Sequence, residues 1–151
     1  MTLMATLPTY DSIRDDFAFL DSWEDRYRYV MELGRALPPL DEALRTEANK
    51  VRGCASQVWL ASSTDLSSGA PRLHFVGDSD AHLVRGLIAL LFVLVQDRTP
   101  AEILAADPHA AFKELGLGEH LTPQRSNGFA SMVTRVRADA TALSASAQSS
   151  T

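Results

Sequence analysis

The first forty residues carry apolar side chains at helical spacing, interrupted by two predicted helix starts. A first helix is predicted to begin near Ser12. A second is predicted at Asp21, where Glu24 three residues on completes a capping-box pattern, and it ends before Pro38 and Pro39. The apolar positions of the pair are Ile13, Phe17, Leu20, Trp23, Tyr27, Val30, Gly34 and Leu37. This pattern predicts a helical hairpin that covers one side of the core.

The pattern then changes to short segments that are rich in β-branched and aromatic residues. Residues 56–63 and 72–76 are such segments, and a turn-rich stretch over 65–71 separates them. They predict an antiparallel hairpin. A third, shorter strand is predicted over residues 47–51, so the expected sheet has about three strands.

Helical patterns return in the second half of the chain. An apolar helix is predicted over 80–96, with the Gly-Asp-Ser-Asp sequence at 77–80 as its cap. Thr99 opens a capping box, Asp107 precedes a proline at a further start, and Gly116 closes that helix. The last helix begins at Thr122 and Pro123, and its core stripe is Phe129, Met132, Val133 and Val136. Helices that flank a small antiparallel sheet predict an α+β domain.

Length and composition favour one domain. The chain has 151 residues, 46% of them hydrophobic and 22% charged, which are ordinary values for a globular domain with its own core. Residues 1–10 are predicted to be a flexible lead-in and residues 11–138 the domain. The Ala- and Ser-rich residues 139–151 are predicted to be a disordered tail.

Charge and hydropathy exclude several classes of function. The 14 Lys and Arg residues face 19 Asp and Glu residues, a formal net charge of −5, and no basic stretch is interleaved with aromatics. Nucleic acid is therefore not an expected partner. Residues 1–10 resemble neither a secretory signal nor a transit peptide, and the longest apolar stretch, 83–95, is too short to cross a membrane. The sequence predicts a cytoplasmic protein.

The chain has one cysteine, Cys54, so it cannot form an intramolecular disulfide or a four-thiolate metal site by itself. The four histidines lack ligand spacing, and we expect no bound metal and no cofactor. Lys50 and Arg52 precede Cys54 and favour its thiolate, while Gly53 permits an unusual backbone conformation. From these residues alone, a reactive thiol and an inert buried cysteine are both open.

The segment around Cys54 resembles the cysteine motif of the SufE family, which has the pattern V-x-G-C-x-S-Q-V-W. Here that segment reads Val51-Arg52-Gly53-Cys54-Ala55-Ser56-Gln57-Val58-Trp59. Further blocks resemble the family in its own order, at residues 77–81, 84–89, 99–104, 115–117 and 120–128. The resemblance covers residues 11–137, and several ordered blocks are far more specific than one short motif.

The resemblance implies a SufE/IscU-like fold and a sulfur acceptor. Cys54 would receive sulfane sulfur from a pyridoxal-phosphate cysteine desulfurase of the SufS or CsdA type, stimulate that enzyme, and relay the sulfur toward iron–sulfur cluster assembly. A SufBCD-type scaffold would be a further partner, and the chain would not be a stand-alone enzyme. A thiolate that attacks the outer sulfur of a persulfide needs one thiol on each partner, which agrees with the lone cysteine.

Four further residues are candidates for supporting roles at the cysteine: Gly53, Gln57, Asp78 and Arg125. Arg125 is expected to steady the persulfide or the sheet-to-helix contact near Cys54, or else to form a structural salt bridge to an acid such as Asp78 or Asp80. Asp78 is expected to serve acid–base chemistry or, as the favoured alternative, to form part of a turn and helix cap.

Two other functions stay open on the sequence. One is an iron–sulfur scaffold related to IscU, which would use several cysteines. The other is a cysteine-nucleophile hydrolase, in which His74 would orient the thiolate. We also expect Cys54 to be largely buried, in a recess formed by Val51, Val58 and the helix over 83–95, until a partner opens the loop.

Overall fold

The computed structural model describes residues 7–54, 56–67 and 69–149, with side chains as far as Ala145. Residues 1–6 of the predicted lead-in and Ala55 of the cysteine motif lie outside the described residues. The elements in chain order are α1 (Tyr10–Phe19), α2 (Trp23–Arg35), a 3₁₀ turn (Glu42–Leu44), β1 (Val58–Asp65), β2 (Arg72–Ser79), α3 (His82–Val95), α4 (Pro100–Ala105), α5 (Pro108–Glu114), α6 (Leu117–His120) and α7 (Pro123–Ser149).

The N-terminal helices form where the apolar pattern predicts them, but their caps differ. Thr9 caps α1 by accepting from the Ser12 N–H, so the helix begins two residues earlier than predicted. Ser22, rather than Asp21, caps α2, because its side chain accepts from the Asp25 N–H at 3.1 Å. The predicted capping box at Asp21 is therefore wrong. Asp and Ser are both good N-cap residues, so residue type alone does not decide which of the two neighbours caps the helix.

The described sheet has two strands rather than three. β1 and β2 pair antiparallel over their full lengths, from Val58 opposite Ser79 to Asp65 opposite Arg72. The predicted third strand is reduced to one bridge between Lys50 and Trp59. That bridge is held by two backbone hydrogen bonds of 2.8 Å, from the Val51 N–H to the Val58 oxygen and from the Leu60 N–H to the Asn49 oxygen. The α+β class is confirmed.

The edge of β2 that faces away from β1 is also occupied. The Gln96 side chain accepts from the Phe75 N–H at 2.6 Å and donates to the Phe75 oxygen at 2.8 Å, as a neighbouring strand would. Leu73 donates to the Arg98 oxygen at 3.0 Å and accepts from the Asp97 N–H at 2.9 Å. Residues 96–98, which follow α3, therefore cover this edge of β2 through the Gln96 side chain and two backbone hydrogen bonds.

Helix α3 is the centre of the core and packs closely on α2. Most of its residues between Val84 and Val95 are buried, which confirms the predicted buried helix. Two glycines bring the helices together: a Cβ on Gly86 would lie 2.1 Å from the Val30 oxygen, and one on Gly34 would lie 2.8 Å from the Gly86 nitrogen. The two backbones thus approach to a distance that only glycine permits.

The C-terminal helices begin largely as predicted. Thr99 and Glu102 form both hydrogen bonds of a capping box at α4, and Asp107 caps α5. Gly116 takes φ +74° and ends α5, but the short helix α6 that follows was not predicted. The predicted core stripe of α7 is buried at Phe129, Met132, Val133 and Val136.

Helix α7 continues through residues 139–149, over most of the predicted disordered tail. Ala140 is buried and Leu143 packs against the core, so the first part of this extension has tertiary contacts. The remainder, residues 144–149, consists of serine, alanine and one glutamine, and alanine has the highest helix propensity. Residues 150 and 151 lie outside the described part of the chain. Within that part, no helix is long and apolar enough to cross a membrane.

Candidate functional site

Cys54 lies at the mouth of a small apolar cavity of about 20 Å³, enough for one water-sized guest. Its side chain is half-buried, less covered than the sequence suggested. The cavity is lined by Cys54, Ser56, Val84, Leu87, Gln124, Arg125, Gly128, Phe129 and Met132. The predicted contribution of the apolar helix is confirmed through Val84 and Leu87. Val51 and Val58 are buried but belong to the core instead.

Gly53 sets the direction in which the cysteine loop enters the site. Its φ is +88°, in the left-handed region that side chains strain to adopt. A Cβ at this position would also lie 2.6 Å from the Ser131 Oγ of α7. The backbone angle therefore favours glycine before Cys54, and any larger residue would also require the Ser131 side chain to shift.

The thiol itself rests on the backbone of α7. Cys54 Sγ lies 3.6 Å from the Gly128 oxygen, to which the S–H donates. A Cβ on Gly128 would sit 3.5 Å from the same sulfur, in ordinary van der Waals contact. Burial raises the pKa of the Cys54 thiol, because the apolar surroundings disfavour the thiolate. In this conformation the site holds a neutral, weakly reactive thiol.

Hydrogen bonds hold the loop on both sides of the thiol. On the C-terminal side, the Gln57 N–H donates to Asp80 Oδ1 at 3.1 Å, while the Gln57 side chain is exposed. On the N-terminal side, Asn49 donates to the Leu44 oxygen at 3.0 Å and accepts from Arg135 at 3.4 Å. Gln57 thus contributes through its backbone, and α7 contacts the loop along one face.

Arg125 lies at the rim of the cavity with an exposed side chain. It forms no ion pair with a carboxylate in the described part of the chain, so the predicted salt bridge to Asp78 or Asp80 is wrong. Asp78 is bound by two other arginines, and Asp80 accepts from the Gln57 backbone. Arg125 is therefore a cation in the lining of the Cys54 cavity that no described acidic side chain neutralises.

Asp78 lies in β2 and does not line the cavity. Its carboxylate is bound by Arg45, which also stacks over the Trp59 ring at 4.9 Å, and by Arg85 at 2.9 Å. The predicted capping role is wrong, because α3 has Ala81 at its N-cap and no side-chain cap hydrogen bond. The cause is that β2 extends to Ser79, beyond the predicted end at Val76.

No histidine is among the described residues that line the Cys54 cavity. His74 pairs with Asp97 at 2.8 Å and is not among the residues that line the cavity. Across residues 7–54, 56–67 and 69–149, no group of three or more His, Cys, Asp or Glu side chains is arranged to hold a metal ion.

Of the predicted residues, the structure brings Cys54 and Arg125 together in the cavity lining with Gly53 directly before the thiol, while Gln57 and Asp78 do not line the cavity. Sequence reasoning missed Gly128 and Ser131. The signal for them was their helical spacing, three residues apart on α7, but it becomes informative only when the loop is known to lie on that helix.

Comparison with known proteins places the chain in a family. The family model described as "SufE: Fe-S metabolism associated domain" matches residues 11–140. An uncharacterized SufE-like protein of Rhizobium etli is 53% identical over 134 residues, which cover 89% of this chain and 90% of the relative. A second, from Rhizobium meliloti, is 49% identical and is covered over 96% of its length.

A solved structure shares the fold at low sequence identity. The solution structure of a hypothetical protein from Thermus thermophilus superimposes with a TM-score of 0.69 at 20% identity. The match covers 89% of this chain and 95% of that one. It supports the arrangement of helices and sheet described above.

Proposed function

Because the chain belongs to the SufE family, whose domain is associated with iron–sulfur metabolism, we propose that it is a sulfur acceptor. In this proposal a pyridoxal-phosphate cysteine desulfurase of the SufS or CsdA type delivers sulfane sulfur to Cys54. The chain stimulates that enzyme by removing its product, and it is not an enzyme by itself. It works in the cytosol and relays sulfur toward cluster assembly, with a SufBCD-type scaffold as receiver.

The observation that carries the proposal is that Cys54 and Arg125 line the same apolar cavity. The apolar cavity shields part of the sulfur from solvent, which favours protection of a persulfide against oxidation. A persulfide is anionic when it is deprotonated, and an uncompensated guanidinium at the rim favours that charge. A carrier needs both protection and a way to hold charge, and these two features supply them.

The transfer step balances without an added oxidant or reductant. The Cys54 thiolate attacks the outer sulfur of the donor persulfide and forms a new S–S bond. The donor S–S bond breaks, and the donor cysteine leaves as a thiolate that takes up a proton. The sulfane sulfur keeps its oxidation state, so one cysteine on each protein is sufficient.

The resting site must open before this step. The hydrogen bond from the S–H to the Gly128 oxygen turns the sulfur toward α7. The raised pKa of the Cys54 thiol favours its neutral form. Docking on the desulfurase then populates a conformer in which the loop swings outward about Gly53, so that contact energy between the proteins offsets the cost of opening. Alkylation of Cys54 by iodoacetamide is expected to be slow in the free protein. It should become faster when a desulfurase that lacks its own nucleophilic cysteine is added.

The geometry favours a carrier over the two alternatives. Among the described residues that line the cavity there is no histidine and no carboxylate to act as the base of a hydrolase. The sequence contains one cysteine, whereas a scaffold of the IscU type would use several.

Intact-mass spectrometry tests the proposal. The protein is incubated with a cysteine desulfurase, pyridoxal phosphate and cysteine, and a mass increase of one sulfur atom at Cys54 is expected. A Cys54→Ser variant serves as the control because it keeps the size of the side chain. Equal sulfur incorporation in the variant would refute the assignment.

A further inference from the structure

A row of three residues crosses the sheet beside the cysteine loop. Lys50, Trp59 and Asp78 are direct neighbours on three adjacent chain segments. The first segment, residues 49–51, is here called the stem because it leads into Cys54. Two backbone hydrogen bonds hold the stem to β1. So short a pairing at a sheet edge is marginal by itself.

Arg45 contacts the second and third residues of this row, Trp59 and Asp78. It precedes the stem in the chain, its guanidinium lies 4.9 Å from the centre of the Trp59 ring, and its Nη2 is bound to Asp78 Oδ2. The Arg45 side chain is 25% exposed and that of Asp78 is 14% exposed. The pair is therefore largely shielded from water, where loss of one partner is costly.

The second oxygen of the same carboxylate reaches a different element. Asp78 Oδ1 lies 2.9 Å from Arg85 Nε in α3. Val84 and Leu87 belong to the same helix, on a different face from Arg85, and both line the Cys54 cavity. One carboxylate thus connects the two sides of the sulfur site: the chain that leads into Cys54 and the helix that forms the cavity wall.

We propose that Asp78 is a positioning residue of the sulfur site, which keeps the cysteine loop closed against α3 by binding Arg45 and Arg85 at once. It touches neither the sulfur nor the cavity, and it acts through the two arginines. Loss of its charge leaves two adjacent guanidinium groups without their common partner, so the stem separates from β1 more often and Cys54 leaves the cavity with it.

Alkylation of the free protein tests this without any desulfurase. Asp78→Asn is expected to raise the rate of Cys54 alkylation by about tenfold at temperatures well below its melting point. Asp78→Glu, which keeps the charge, should restore part of the slow rate. Asp16→Asn is the control, since Asp16 accepts from the Tyr29 hydroxyl between α1 and α2 and lies outside the cavity lining. A wild-type rate in folded Asp78→Asn would overturn the proposal.

A double-mutant cycle separates this connection from a general loss of stability. Arg45→Met keeps an apolar contact with Trp59 and leaves the Asp78–Arg85 pair in place, so it remains informative if Asp78→Asn fails to fold. If the two residues act through one contact, the double variant reacts no faster than the faster single variant. If the increases in alkylation rate of the two single variants multiply in the double variant, Asp78 and Arg45 act independently, which would contradict the proposal that Asp78 acts through Arg45.

A second readout rests on the proposed function. If docking must open the loop, a loop that is already loosened needs less desulfurase for half-maximal sulfur loading, with the maximal rate unchanged. A merely structural role for Asp78 would not shift that concentration, and an unshifted value would argue against loop positioning. Absence of sulfur loading in the wild-type protein would refute the proposed function alone, because the alkylation result stands without it.

Discussion

The contact between α2 and α3 and the contact between the cysteine loop and α7 both depend on glycine, but in different ways. At Gly86 an added Cβ would meet backbone, 2.1 Å from the Val30 oxygen. At Gly53 it would meet the end of a side chain, the Ser131 Oγ, and at Gly128 it would only touch the sulfur. The first contact cannot adjust, whereas the other two can. The comparison separates a contact between two backbones from contacts that a side chain can accommodate.

The largest effect is expected at Gly86. Gly86→Ala forces α2 and α3 apart and should lower the free energy of unfolding by about 3 kcal/mol, which corresponds to a melting temperature lower by about 10 °C. Gly118→Ala is the matched control, because its Cβ would lie 3.7 Å from Phe112, an ordinary distance. Thermal unfolding followed by circular dichroism measures both. Equal melting temperatures for the two variants would show that the helix contact adjusts after all.

An intermediate effect is expected at Gly53. Gly53→Ala meets both the left-handed backbone angle and Ser131, and the angle alone costs about 1–2 kcal/mol. Adding Ser131→Ala removes the clash but not the angle, so the double variant should recover part of the stability. Denaturant unfolding of the wild type, both single variants and the double variant measures these free energies of unfolding. If the double variant is no more stable than Gly53→Ala, the Ser131 contact does not constrain the loop.

The smallest effect, of opposite sign, is expected at Gly128. Its Cβ would fit without overlap, and alanine inside a helix is favoured over glycine by about 0.5–1 kcal/mol. Gly128→Ala should therefore be slightly more stable than the wild type. The same methyl group narrows the cavity beside Cys54, so sulfur loading measured by intact mass should slow. Faster loading in this variant would contradict a role for the cavity in holding the added sulfur.

The features that the sequence predicted are those that depend on near neighbours in the chain. Helical spacing of apolar residues located α3 and the buried stripe of α7, since burial follows local periodicity. The capping box at Thr99 was found for the same reason. Cys54 was recognised from its flanking residues and its motif, which are also local.

The features that it missed depend on distant partners. The arginine partners of Asp78 could not be predicted, because Arg45 lies 33 residues away in the chain and the motif around Asp78 is equally typical of a cap. The stem over 49–51 has only Val51 as a residue typical of strands. How far it pairs with β1 depends on the tertiary structure, which leaves a single bridge between Lys50 and Trp59. The helical extension beyond residue 138 was missed because a small-residue composition is shared by loose tails and by helices.

The Gln96 side chain that pairs with Phe75 has a consequence for how molecules of this protein meet each other. An uncovered strand edge offers a template on which another chain adds as a further strand, the first step of intermolecular sheet growth. Here the outward-facing groups of Leu73 and Phe75 are already bonded within the molecule. Two copies that collide at this edge find no free donors or acceptors at those residues, so a sheet of only two strands is protected there against aggregation.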